Sequence, residues 1–154
     1  MARKTTTHTS IGNQPSKVFV DTGGWYGMMS EQDRQHHASA AYYSHIVEAR
    51  TLIITSDYVL DETLTRLRYD FGHRVAMKFW EQITKAQTAR RLLILPVDTV
   101  VWAAALEIFA KYDDQDFSFT DCTSFVLAKQ EQADEVFTFD HHFRQFGLIV
   151  KPLP

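Results

Sequence analysis

Short β-rich apolar runs alternate along this chain with longer segments whose apolar residues recur at helical spacing. Lys17–Val20, Leu52–Thr55, Leu92–Leu95 and Glu135–Phe139 read as strands, and Leu148–Val150 as a short last one. The first strand ends on Asp21 and turns at Gly23-Gly24. Trp25–Met29 reads as a short helix or loop, and Gln32–Ala49 as a helix. Ser56 is placed to cap a third helical segment whose apolar stripe is Leu60, Leu64 and Leu67, spaced i, i+4, i+7. Glu62 lies about 200° round from Leu60, off that stripe, on a face with Tyr58, Thr65, Arg66 and Tyr69. Gly72 ends this helix and Arg74–Ala89 forms another.

Pro96 stops the third strand, and Asp98 is placed to cap a helix with Val101, Ala104, Ala105, Ile108 and Tyr112 on one face. Asp113–Asp116 is a loop. Thr120 reads as the N-cap of a helix reaching about Gln130. His141–Phe146 is a short helical turn before Gly147. Strands alternating with helices predict an α/β fold, in which a central, mainly parallel sheet of about four or five strands is wrapped in helices. Residues 1–16, rich in Thr and Ser, are expected to be a flexible arm, and 17–154 a single folded domain.

Composition narrows the classes. With 154 residues, 45% hydrophobic and 23% charged, the chain has material for one real core and is not a disordered sequence. Its net charge of −3 argues against a protein that merely coats nucleic acid. The single cysteine, Cys122, forbids an intrachain disulfide and disfavours a Cys-based zinc site, which fits a reducing, cytoplasmic setting. No apolar run reaches the roughly 18 residues of a membrane span, and the N-terminus lacks the apolar core of a secretory signal.

The candidate chemistry lies in separated acids. Asp21 and Asp140 follow strands; Glu62 and Asp121 lie near the starts of helices that follow loops. In a parallel sheet, strand C-termini and the following helix N-termini share one edge, so all four can converge. Carboxylates packed together repel, raise their own pKa values and need a cation. Mg²⁺ or Mn²⁺ suits oxygen ligands, and such a site can activate water for phosphodiester cleavage.

These motifs resemble those of PIN-domain ribonucleases of the VapC-like toxin group, over Val18 to about Val150. The similarity is carried by Val18-Phe19-Val20-Asp21-Thr22, Leu60-Asp61-Glu62-Thr63-Leu64, Asp116-Phe117-Ser118-Phe119-Thr120-Asp121 and Phe137-Thr138-Phe139-Asp140, in that order. The resemblance implies a three-layer α/β/α fold, a Mg²⁺/Mn²⁺ site and endonuclease activity on RNA. It also implies frequent homodimers and inhibition by a small antitoxin protein. By position it assigns Asp21, Glu62, Asp121 and Asp140 to the catalytic metal site and Asp116 to a further acid of that site. Thr22 matches a small hydroxyl residue after the first acid, and Thr22 or Ser118 is a candidate for positioning water or phosphate. Ser118 reads more naturally as a turn or cap hydroxyl. Doubled acids depart from the pattern: Asp61 stands beside Glu62, and Asp113 and Asp114 near Asp116.

Other residues read more plainly. The pairs His36-His37 and His141-His142 lack the i, i+4 spacing of a helical zinc site and read as surface or capping residues, with His142 close enough to Asp140 for a substrate contact. Arg66, Arg68 and Arg74 read as a solvated helix face, with RNA phosphate as the alternative. Trp25, Tyr26 and Tyr58 read as core or interface residues rather than base-stacking platforms. Cys122 reads as buried packing. Two other functions compete: a PIN-like module that binds RNA or protein without cleavage, and a haloacid-dehalogenase-type phosphatase. The second is disfavoured because Gly23 stands where its second aspartate is required.

Overall fold

The computed structural model describes residues 15–153. Five strands form one wholly parallel sheet: β1 (Lys17–Val20), β2 (Leu52–Ser56), β3 (Leu92–Leu95), β4 (Glu135–Phe137) and β5 (Val150–Lys151), in the order β3-β2-β1-β4-β5. Val18, Phe19 and Val20 on the central β1 are fully buried, which is why that strand reads as an unbroken apolar run.

Among the described residues six helices supply the crossovers: α1 (Thr22–Met29), α2 (His36–Glu48), α3 (Asp57–Phe71), α4 (His73–Thr88), α5 (Thr99–Lys111) and α6 (Phe119–Gln130). Right-handed crossovers put α1–α4, which link β1 to β2 and β2 to β3, on one face. They put α5 and α6 on the other. The packing agrees: α1 lies on α2 and α3, α3 on α4, and α5 on α6. The expected α/β/α layering with a parallel sheet is therefore present. No helix among the described residues is long and apolar enough to cross a membrane.

The chain leaves β1 toward β2 on one side, while β4 lies on the other side of β1 and leads on to β5. The C-terminal ends of β1 and β4 thus flank the point where the strand order reverses, the place where open α/β sheets form a crevice.

Several local expectations are corrected. Gly23-Gly24 is not a turn, because helix α1 begins at Thr22 directly after Asp21. Gly24 lets the helix lie close to the sheet, and Gly27 lets it lie close to α2. A Cβ on Gly24 would sit 2.6 Å from the Phe137 carbonyl oxygen, and one on Gly27 2.4 Å from Ser39 Oγ. The N-cap of α6 is Ser118, not Thr120. Strand β4 stops at Phe137, and Thr138 and Phe139 carry the chain onward to Asp140. Ser16, expected in the arm, donates from both N and Oγ to the Asp134 carboxylate, at 2.9 and 2.8 Å. The rest of the expected arm, residues 1–14, lies outside the described residues.

Trp25 is core, 1% exposed, and its indole N–H donates to Thr55 Oγ1 at 3.2 Å. Cys122 is fully buried, and burial pushes its thiol up to about 11, so it packs rather than reacts.

Candidate active site

Asp21 enters the crevice at the end of β1. Its backbone N–H still donates to the Phe137 carbonyl of β4, at 3.1 Å, so the sheet ladder itself fixes its Cα. The side chain is only 5% exposed. The Thr138 hydroxyl donates to Asp21 Oδ2 at 3.0 Å and accepts from the Asp140 N–H at 3.1 Å, tying the first acid to the fourth.

Asp121 is held from the opposite side. Ser118 and Asp121 form a reciprocal capping box: Asp121 N–H donates to Ser118 Oγ at 3.0 Å, and Ser118 N–H donates to Asp121 Oδ2 at 2.9 Å. One carboxylate oxygen is thereby spent on helix geometry, and the side chain cannot swing. Asp140 caps the 3-10 turn His141–Phe146, accepting from the His142 N–H at 2.9 Å. The His142 ring lies 2.8 Å from the same oxygen through Nδ1 and packs edge-on against Phe117. Glu62 stands on the exposed side of α3, in the wall of a cavity of about 520 Å³ shared with Arg66, Ser118 and Thr120.

The electrostatics place these acids in one neighbourhood. Burial, then the charge of Asp121, pushes Asp21 up to about 7, against the pull of the Thr22 N–H and the Thr138 hydroxyl; Glu62 adds to the rise. Glu62 is raised by desolvation and then by Asp121, and held back by Thr22, Arg66 and Thr120. Asp121 is raised by desolvation, held back by Ser118, and raised again by Asp140. Asp121 is the common neighbour of the other three.

Asp116 is not among the groups that most perturb these acids; it is exposed and lines an adjoining depression with Phe109, Tyr112, Asp113 and Ser118. The carboxylate that raises Asp121 is Asp140, rather than Asp116 five residues away. Ser118 acts as the cap hydroxyl its sequence context suggests, and its Oγ is engaged by the Asp121 N–H. Thr22 Oγ1 differs: it is buried facing Glu62, whose carboxylate it favours, and makes no hydrogen bond within 3.5 Å. Thr138 was missed in the sequence. Its signal was a hydroxyl between two phenylalanines just before the last acid.

A hard divalent cation fits these residues. They offer carboxylate oxygens and the buried Thr22 hydroxyl beside Glu62, and the carboxylates repel one another without a lysine among the groups that perturb them most. No three His, Cys, Asp or Glu side chains among the described residues stand close enough to cage an ion outright.

Comparison with known proteins agrees with this geometry. Residues 18–148 match the PIN domain family. The chain is 33% identical over 128 residues to a VapC ribonuclease of Archaeoglobus fulgidus, covering 82% of this chain and 78% of that protein. It is 27% identical over 139 residues to the 23S rRNA-specific endonuclease VapC20 of Mycobacterium tuberculosis, covering 88% and 98%. The crystal structure of that VapC20, a toxin that cleaves the sarcin-ricin loop, superposes with a TM-score of 0.74 at 26% identity over 88% of this chain and 99% of that one. VapBC2 of Rickettsia felis, bound to promoter DNA, shares the fold at a TM-score of 0.64 and 13% identity, over 88% and 97%. An acidic crevice at the strand-order reversal, a family match spanning nearly the whole chain and full-length similarity to VapC proteins lead to one assignment: the chain belongs to the PIN-domain family, within its VapC-like ribonuclease group.

Proposed function

We propose that Asp21, Glu62, Asp121 and Asp140 form the divalent-metal site at which this VapC-like endoribonuclease hydrolyses RNA phosphodiester bonds. The reading is supported by the way four separate segments meet: Thr138 links Asp21 to Asp140, Glu62 shares a cavity wall with Ser118, the cap of Asp121, and the Asp121 charge bears on both Asp21 and Glu62. Asp21 and Asp121 are the rigid members, held by Thr138 and by the capping box, and are assigned as primary ligands. Glu62 and Asp140 complete the shell or orient the attacking water. The buried Thr22 hydroxyl, beside Glu62, is placed to hold that water or a phosphate oxygen. When bound, Mg²⁺ or Mn²⁺ would lower the pKa of a coordinated water and offset charge on the phosphate.

The VapC20 relatives act on 23S rRNA, which makes a ribosomal RNA hairpin loop the first substrate to test. A small antitoxin partner and a cytoplasmic setting belong to the same reading. The VapBC2 structure, with its promoter DNA, has this fold. Self-association, implied by the family resemblance, would cover an exposed apolar stripe on α5 formed by Trp102, Leu106 and Phe109.

The test is cleavage of such a hairpin by purified protein with Mg²⁺, Mn²⁺ or a chelator, beside Asp21→Asn and Asp121→Asn. Loss of two or more orders of magnitude in both variants, and in chelator, is expected, on the scale of removing a metal's catalytic contribution. Undiminished cleavage by either variant overturns the assignment. Tight RNA binding without cleavage under any metal favours the non-catalytic module.

A further inference from the structure

A second cavity, also of about 520 Å³, opens beside the acidic crevice between α1, the loop before α2, and α3. Its walls include Gly23, Tyr26, Arg34, Arg66 and Phe139. Three of these continue acid-bearing segments: Gly23 follows Asp21-Thr22, Arg66 lies one turn after Glu62, and Phe139 precedes Asp140. A strand whose scissile phosphate reached the acids would therefore have an adjacent residue in this cavity.

The walls are chemically unlike the acidic centre. Arg66 is not the freely solvated side chain its helix position suggests. Its guanidinium carbon lies 3.7 Å from the centroid of the Tyr26 ring, and Nε is 3.9 Å from Asp70 Oδ2. The Tyr26 hydroxyl donates to that same Asp70 oxygen at 2.6 Å. Stacking on one side and a carboxylate on another hold the guanidinium plane in place. Arg34 is exposed and forms no ion pair among the described residues. The one acid in the wall, Asp33, has Oδ1 engaged by the Gln35 N–H at 2.7 Å. Phe139 is half-buried and adds an aromatic face. Guanidinium groups beside an aromatic surface are how single-stranded nucleic acid is held without metal, through phosphate contacts and base stacking. A basic protein segment would favour the carboxylate crevice over this arginine-lined cavity.

We propose that this cavity is a nucleotide subsite, in which Arg34 and Arg66 take the phosphate adjacent to the scissile bond and Phe139 receives its base. The proposal rests on the ribonuclease reading above, and its test separates the two. In protein silenced by Asp121→Asn, binding of a fluorescent RNA hairpin with an unpaired loop is measured by anisotropy across a salt series. Adding Arg34→Ala should weaken binding and flatten the salt slope by about 0.7, the value for one phosphate contact on a single strand. Adding Phe139→Leu should weaken binding about tenfold at unchanged slope, as loss of a stacking face does. Arg34 is exposed, so its variant keeps the test valid if the Phe139 change disturbs packing against Phe137. Unchanged affinity and slope in Arg34→Ala overturn the subsite even if the wild-type protein cleaves the hairpin and Asp121→Asn does not. Loss of affinity for a co-purifying protein partner, with RNA binding intact, overturns it in favour of a protein-docking cleft. A wild-type protein that binds the hairpin with these slopes but never cuts it leaves the subsite standing and removes the ribonuclease reading.

Discussion

Replacing Asp21 by Asn should abolish activity and at the same time stabilise the metal-free protein. The side chain is 5% exposed, and burial and the Asp121 charge push its pKa from 3.8 to about 7. An acid whose pKa rises on folding binds its proton more tightly in the native state. The native state is therefore favoured most below the unfolded value of 3.8 and progressively less as pH climbs through about 7. At about 1.4 kcal/mol per pK unit, the ionised side chain costs the fold about 4 kcal/mol above about pH 8, and about 2 kcal/mol near pH 5. Asparagine keeps the shape and can still accept from the Thr138 hydroxyl, but carries no charge.

Urea unfolding of chelator-treated wild type and Asp21→Asn, at about pH 5 and about pH 8.5, measures both values. The variant should gain stability at both, with the larger gain at the higher pH, reaching several degrees in Tm for a domain of this size. Mg²⁺ should stabilise the wild type strongly at high pH, by ligand linkage, and the variant far less. An Asp21→Asn protein no more stable than wild type at high pH, or a gain independent of pH, would show that Asp21 is not a repelled, desolvated carboxylate. The electrostatic case for a cation site would fall with it.

Other outcomes follow from the same geometry. Thr138→Val removes a hydrogen bond that holds the Asp21 pKa down, so the acid limb of the cleavage pH profile should move to higher pH; an unmoved profile refutes the Thr138 role. Ser118→Ala removes the Oγ that accepts from the Asp121 N–H, costing about 1 kcal/mol by thermal unfolding, and should also weaken Mg²⁺ binding because the first turn of α6 that carries Asp121 is loosened, although the backbone N–H of residue 118 still reaches Asp121 Oδ2. Loss of stability without loss of metal affinity would make the box purely structural. Gly24→Ala drives a methyl against the Phe137 carbonyl and should cost about 1–3 kcal/mol while lowering activity through displacement of Asp21 and Thr22. Asp116→Asn, on the exposed loop, should keep cleavage within about twofold of wild type, since surface changes away from a site do little. A hundredfold loss in a cleavage assay would return Asp116 to the site.

Much of the molecule was legible from local pattern. Lys17–Val20 and Leu52–Thr55 announce buried strands because inner parallel strands are covered on both faces, whereas the equally apolar Leu92–Leu95 is an edge strand that leaves Leu93 46% exposed. The stripe Leu60, Leu64, Leu67 and the terminating Gly72 outline α3. Asp21, Glu62, Asp121 and Asp140 were visible as acids at element boundaries. Cap identity was less legible: Ser118 and Thr120 are both good caps, and only the reciprocal bond with Asp121 selects the first. The glycines after Asp21 read as a turn because a close approach to a strand distant in sequence leaves no local signature.

The elements, their alternation and the supply of acids are set locally, because hydrophobic periodicity and capping act over a few residues. Which acids lie near one another depends on how the layers pack. Strand order brings β1 beside β4 across more than half the chain, joins Asp21 to Asp140 through Thr138, and leaves Asp116 outside. Pairing at that separation depends on how whole layers pack, and no window of neighbouring residues contains it.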